Sequence, residues 1–331
     1  RIEIFGKAIA AGVSYLDIEW STVPEVLRQL DIKKPTGLII SHHTNENDPS
    51  RRIAILREMM KYPADIYKFV YRAQSLNDSV FAMELVSEAK KAGRKFIVHA
   101  MGEDGSLTRF LGALSGNAWT YVSHPDSAST ADGQIDLTSA LNNYFLNEKS
   151  SVTRIVGLAG FPIAQSRGWH LHNRLIHEAA RKAEEKFMDF LYLNFPAQDF
   201  DTFWSSWEKY IDALSITIPH KQKITDKLDF KGRSVLLSGV CNTAIKKDGR
   251  WYGFNTDYAA ICELLSDHSI NLMDRILVYG TGGTTRSTVA ALKELNIKNI
   301  YITGRNQTEG EKIAREFGVE FRKMEQLKEM E

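Results

Sequence analysis

Cysteine is scarce in this chain: Cys241 and Cys262 are the only two among 331 residues, and no CxxC spacing joins them. That excludes a disulfide-stapled secreted scaffold and a cysteine-based structural zinc site, and it fits a reducing compartment. No metal is expected. An excess of one charge is also lacking, since 42 Lys and Arg stand against 41 Asp and Glu for a net charge of +1. Nothing electrostatic therefore favours nucleic acid or an anionic membrane as a partner, and small molecules are expected instead. No apolar run approaches the roughly 20 residues of a membrane span, and no basic-then-apolar leader opens the sequence, so a soluble, cytoplasmic protein is the expectation. Internal repeats and low-complexity segments are missing too. What remains is an ordinary globular composition, 43% apolar and 25% charged, on a length that calls for two or three domains.

Short apolar strands alternate with amphipathic stretches through the first part, the pattern of an α/β fold with parallel strands and crossover helices. The pattern predicts strands at Tyr15–Trp20, Gly37–His42, Ile66–Tyr71, Lys95–Ala100 and Trp119–Ser123, with helices over Pro49–Lys61 and Ser79–Ala92. Asn147–Thr153 is short and polar and reads as a linker. A second run follows, with strands at Arg154–Ala159, Phe187–Asn194 and Ala213–Ile218 and a helix at Trp169–Lys186. A third part opens on the apolar strand Arg275–Tyr279, which leads into Gly280-Thr281-Gly282-Gly283 and a helix from about Thr284.

Two groups of residues carry chemistry. Lys68 sits in an otherwise apolar strand, where desolvation disfavours an ammonium and frees an amine to attack a ketone; the alternative is a lysine that snorkels to solvent. The preceding strand ends Ser41-His42-His43, which sets a histidine at a C-terminal strand rim, suited to act as general base and then acid, or else idle in a loop. These features, together with Tyr15-Leu16-Asp17-Ile18-Glu19, Met101-Gly102 before Thr108-Arg109, and Ala131-Asp132-Gly133-Gln134, resemble the type I 3-dehydroquinate dehydratases. The resemblance implies that Lys68 forms an imine with the substrate ketone and that His43 moves the protons. Arg109 would hold the carboxylate, while Gln134, with Thr130 nearby, would close over the substrate. Glu19 is expected either to orient Lys68 or to have no chemical part. Asp132 stands where the family usually has proline. Only the last five strands of a (β/α)8 barrel are recognisable, so the resemblance implies an incomplete TIM barrel over residues 1–147, truncated at its start and a poor dehydratase as it stands.

Thr217-Ile218-Pro219-His220-Lys221, Asn242-Thr243 and Asn255-Thr256-Asp257 are turn formers taken singly. Together with Gly160-Phe161-Pro162-Ile163 through Ser166 to His172-Asn173 they resemble the shikimate dehydrogenases. That resemblance implies a substrate-binding domain over residues 152–262, with Lys221 and Asp257 as the catalytic pair and Asn242, Thr217 and Ser166 on substrate oxygens. The chain reads Ser166-Arg167-Gly168-Trp169 where the family usually has Ser-x-Ser-Pro, so one carboxylate-gripping hydroxyl is missing and Arg167 is the available cation. The run Gly280, Thr281, Gly282, Gly283 between strand and helix has the setting of a dinucleotide loop. Arg305, after the next strand Asn299–Thr303, suits the extra phosphate of NADP rather than NAD. Residues 263–331 are thus expected to be a partial NADP-binding Rossmann domain, also cut short.

The expectation is a fused enzyme that dehydrates 3-dehydroquinate to 3-dehydroshikimate and reduces the latter with NADPH to shikimate. Two alternatives stand beside it: a fusion whose dehydrogenase prefers quinate, and a non-catalytic metabolite sensor on the same folds.

Overall fold

The computed structural model describes residues 1–32, 35–127, 131–182, 189–268 and 270–329. The chain is α/β and forms two compact units. One holds Arg1–Arg154, His170–Tyr192 and Phe203–Lys209; the other holds Ile155–Trp169, Leu193–Thr202 and Tyr210–Glu331.

The first unit is built on a parallel sheet of β1 (Tyr15–Glu19), β2 (Gly37–Thr44), β3 (Ile66–Arg72) and β4 (Phe96–Met101), paired in that order. Around it lie α1 (Ile2–Ala10), α2 (Val23–Gln29), α3 (Pro49–Met59), α4 (Asp78–Lys91), α5 (Leu107–Ser115) and α6 (Leu137–Asn142). Successive side chains point to opposite faces of each strand, and register lines them up in rows across the sheet. Ile18, Ile40, Tyr67 and Phe96 fall in one row and pack into the core with Leu56, Met59 and Val86, each large side chain contributing roughly 1.5–3 kcal/mol on full burial. The opposite face carries the polar rows Glu19, Ser41, Lys68, Ile97 and then His43, Val70, His99. Asp48 caps α3 by accepting from the backbone N–H groups of Ser50 and Arg51, as a helix start with Pro at its first turn requires.

The fifth expected strand is not one. Trp119–Ser123 makes a single isolated parallel bridge, Ser123 to Asp136, and Ala118 N donates to Phe96 O at 2.8 Å. Its apolar alternation has another cause, because Trp119 and Tyr121 lay their rings on Ile39, Ile66 and Ile97. Side-chain packing, rather than a ladder, uses the pattern.

The linker is held at both ends. Lys149 Nζ donates to Asp189 at 2.5 Å, Phe145 stacks on His177 with ring centroids 3.8 Å apart, and His177 pairs with Glu148 at 3.1 Å.

Beyond it come β5 (Arg154–Gly160), α7 (Gly168–Lys182), β6 (Phe190–Pro196), α8 (Phe200–Trp207), β7 (Ile211–Ile216), β8 (Phe230–Lys231), α9 (Arg233–Ser238), β9 (Thr243–Lys247), β10 (Arg250–Phe254) and α10 (Thr256–Ser266). Their strands form a mixed sheet ordered β6-β5-β7-β9-β10-β8. The last described part is a parallel sheet of β11 (Arg275–Tyr279), β12 (Asn299–Thr303) and β13 (Glu320–Phe321), with α11 (Gly283–Glu294) and α12 (Gln307–Phe317). Among the described residues no helix is long and apolar enough to cross a membrane.

Candidate active sites

In the first unit, Lys68, His43, Arg109 and Gln134 line one cavity of about 210 Å³, together with Val70, His99, Met101, Tyr121 and Ala131. Thr130 lies outside the described residues. Lys68 Nζ donates to Asp17 Oδ2 at 3.0 Å and sits 4.8 Å from the centroid of the Tyr121 ring. Glu19 does not take the lysine. Its Oε1 lies 2.9 Å from His42 Nδ1 and its Oε2 3.4 Å from His43 Nδ1, so the orienting contact expected of Glu19 goes to the histidines and the lysine is held by Asp17. Period-2 geometry puts Asp17 and Glu19 on one face of β1, so either acid was available to a lysine two strands away; tertiary geometry divides the work.

Arg109 enters from the first turn of α5 and is 4% exposed. Burial holds its basicity down, and among the described residues no carboxylate pairs with it. The loop carrying Gln134 is pinned by Gly133, whose φ of +74° is left-handed and whose added Cβ would stand 2.5 Å from Gly102 O. Arg72 reaches Asp132 at 3.5 Å, an exposed ion pair and therefore a weak tether.

In the second unit, Lys221 Nζ donates to Asp257 Oδ2 at 2.5 Å. Asn242 Nδ2 donates to Asp257 Oδ1 at 2.8 Å, and Thr256 N donates to Asn242 Oδ1 at 2.9 Å, so the two Asn-Thr pairs interlock around the carboxylate. Thr217 and Lys221 line a cavity of about 690 Å³ with Gly280, Thr281, Gly282 and Gly283. A Cβ at Gly283 would lie 2.9 Å from Lys221 Cδ, which explains the small residue there, and Gly282 has nothing within 4 Å of such a Cβ. Arg305 lines a second cavity, about 620 Å³, with Tyr279, Gly280, Thr281, Gly304, Asn306 and Gln307. Ser166 lines neither of these two cavities; it closes the turn after β5, its N donating to Ile163 O at 2.9 Å.

Sequence reasoning passed over Asp17, His99 and Asn255. Asn255, 1% exposed, caps α10 by accepting from Tyr258 N and donates to the hydroxyls of Ser238 and Ser287 at 2.8 and 2.9 Å, thereby setting the start of the helix that carries Asp257. Its signal was the helix-cap pattern Asn-Thr-Asp before an apolar run. For His99 the signal was a histidine in phase with the cavity-facing positions of β4.

Residues 1–151 match the family described as type I 3-dehydroquinase. Over 305 residues, 91% of the chain, it is 28% identical to "Shikimate biosynthesis protein AroDE" of Chlamydia pneumoniae, covering 61% of that protein. It is 33% identical over 168 residues, half of the chain, to "Shikimate dehydrogenase (NADP(+))" of Dictyoglomus turgidum, covering 58% of it. It is also 24% identical over 344 residues to the chloroplastic "Bifunctional 3-dehydroquinate dehydratase/shikimate dehydrogenase" of Arabidopsis thaliana, 96% of this chain and 54% of that one. The chain thus spans between half and two thirds of the length of these relatives. The chain is thus similar to type I 3-dehydroquinases over residues 1–151 and, along nearly all its length, to proteins named as fused 3-dehydroquinate dehydratase/shikimate dehydrogenases.

Proposed function

We propose that the chain carries two successive catalytic stations, a Schiff-base dehydratase in residues 1–147 and an NADP-dependent dehydrogenase in residues 152–262 and 263–331. In this reading the first is the last part of a (β/α)8 barrel and the last a partial Rossmann domain. The observation that supports it most is the gathering of an amine, an imidazole and a buried, unneutralised guanidinium around one small cavity. That set fits a small hydroxylated keto acid.

Arg109 takes the carboxylate in a charge-assisted contact. Lys68 adds to the ketone of 3-dehydroquinate with loss of water to give an imine, whose cation draws electrons from the neighbouring C–H bond. His43, held by Glu19, removes that proton; the electron pair becomes the new C=C bond as the hydroxyl departs with a proton returned by His43. Hydrolysis of the imine releases 3-dehydroshikimate and restores Lys68. Asp17 keeps the amine in place, and Gln134 closes the site.

The 3-dehydroshikimate so formed is the ketone that the second station reduces. NADP(H), when bound, supplies the hydride. The glycine loop fits it, since the open space over Gly282 and the start of α11 leave backbone N–H groups free to approach a pyrophosphate, and Arg305 supplies a cation for the ribose phosphate. Lys221 polarises the carbonyl and delivers the proton to the oxygen, while Asp257 fixes the lysine and Asn242, Thr217 and Ser166 hold substrate oxygens. Arg167 in the altered Ser166–Trp169 turn favours a second reading in which quinate competes with shikimate. Comparing turnover of the two acids decides between them.

Borohydride trapping tests the first station. A substrate adduct on Lys68 by mass spectrometry is expected; none, or one on another lysine, would sink the assignment.

A further inference from the structure

One side chain in the dehydratase cavity has no place in the scheme above. His99 is 1% exposed, and both of its ring nitrogens are buried without a hydrogen-bond partner. It stands in register with Val70 and His43 on the cavity face, lines the cavity with Lys68 and Arg109, and meets the Tyr121 ring edge-on at 6.2 Å. Burial, then the charges of Arg109 and Lys68, push its pKa down to about 3, with the Thr108 backbone only partly opposing them; neither nitrogen reaches that backbone at hydrogen-bond geometry.

A buried polar ring left unbonded is costly, and an apolar side chain would fill the same space without that cost. Part of the cost is recovered if a ligand completes one of the bonds. The ring has one N–H to donate and one lone pair to accept with, and an alcohol can meet either, since its O–H donates and its oxygen accepts. A carboxylate could meet only the N–H.

We propose that His99 is a substrate-binding residue, one nitrogen of whose imidazole hydrogen-bonds a hydroxyl of the keto acid that Arg109 holds by its carboxylate. This rests on the dehydratase reading. It makes His99 a specificity determinant for hydroxylated over deoxygenated keto acids, because a ligand lacking that hydroxyl leaves the ring unpaired.

The test measures the concentration of 3-dehydroshikimate that half-saturates borohydride trapping on Lys68, in the unsubstituted protein and in His99→Leu and His99→Gln, alongside melting curves. His99→Leu should melt higher and need about tenfold or more ligand. His99→Gln keeps a donor and an acceptor and should stay within about threefold of the unsubstituted protein. The ring-nitrogen NMR signals of His99 in the unsubstituted protein should also move on ligand addition. No adduct in the unsubstituted protein overturns the dehydratase reading, and this inference with it. An adduct whose half-saturation His99→Leu leaves unchanged, equal losses in both variants, or ring nitrogens that do not respond to ligand, each overturn the His99 assignment alone.

Discussion

A single buried ring contributes to the acid sensitivity of the first unit. Free histidine protonates near 6.5, whereas folded His99 does so only near about 3. Between those values the unfolded chain binds a proton that the folded one refuses, so stability rises with pH there. The contribution is fully present above about 6.5 and is lost, at about 1.4 kcal/mol per pH unit, as pH falls toward about 3. Denaturant titrations at pH 7 and pH 5 should therefore show a smaller loss for His99→Leu than for the unsubstituted protein, by about 2 kcal/mol; parallel losses would refute it. Arg305 makes a second prediction at this scale. Removing a cation that pairs with a phosphate should cost NADPH affinity about 10- to 100-fold and leave NADH nearly unchanged, given about 1.5–3 kcal/mol for a charged hydrogen bond. Cofactor titrations of Arg305→Ala check it, and equal losses would make Arg305 an ordinary surface residue. Lys68 and His43 stood out as candidates because of where their types stand, whereas Arg109, Lys221 and Asp257 were expected only through the family resemblance. Asp17 was not expected, because nothing in Asp-Ile-Glu says which acid a lysine two strands away will meet.

Elements aim these residues, and two short features aim the second site. Asn255 both caps α10 and satisfies Ser238 and Ser287. Asn255→Ala should lose about 1 kcal/mol for the cap and about 0.5–1.5 kcal/mol for each hydrogen bond lost to Ser238 and Ser287, whose hydroxyls keep their backbone acceptors. Because α10 carries Asp257, reductase turnover should fall as well. Equilibrium unfolding and turnover of one preparation measure both. Gly283 is the opposite case. Alanine favours a helix, but its Cβ would stand 2.9 Å from Lys221 Cδ, so the lysine stem must shift and its alignment on Asp257 is disturbed. Gly283→Ala should keep its melting temperature and lose reductase turnover by about tenfold or more; full turnover would show that Lys221 has room to spare. β3, β11 and β12 were readable almost to the residue, since short apolar runs bounded by turn residues mark strands. The fifth strand was misread because Trp119 and Tyr121 alternate for packing on isoleucines, and alternation cannot tell a ladder from a wedge.

The two proposed stations make a prediction at the scale of the whole protein. Their candidate lysines lie in different compact units, so Lys68→Met should abolish dehydration and leave reduction of added 3-dehydroshikimate within about twofold, and Lys221→Met should do the reverse. Assays of both reactions on both variants check this; loss of both activities in either variant would show the stations to be interdependent. The sequence by itself determined the α/β class, the order of most strands and helices, and the residue types of both candidate sites, because hydrophobic period, turn chemistry and residue type are local properties of a chain. Only the tertiary structure decided which acid holds which base, that His99 is buried unpaired beside Arg109, and that Gly283 is small to admit Lys221. Those facts depend on strand register and on side chains converging from segments far apart in sequence, and no local pattern encodes that distance.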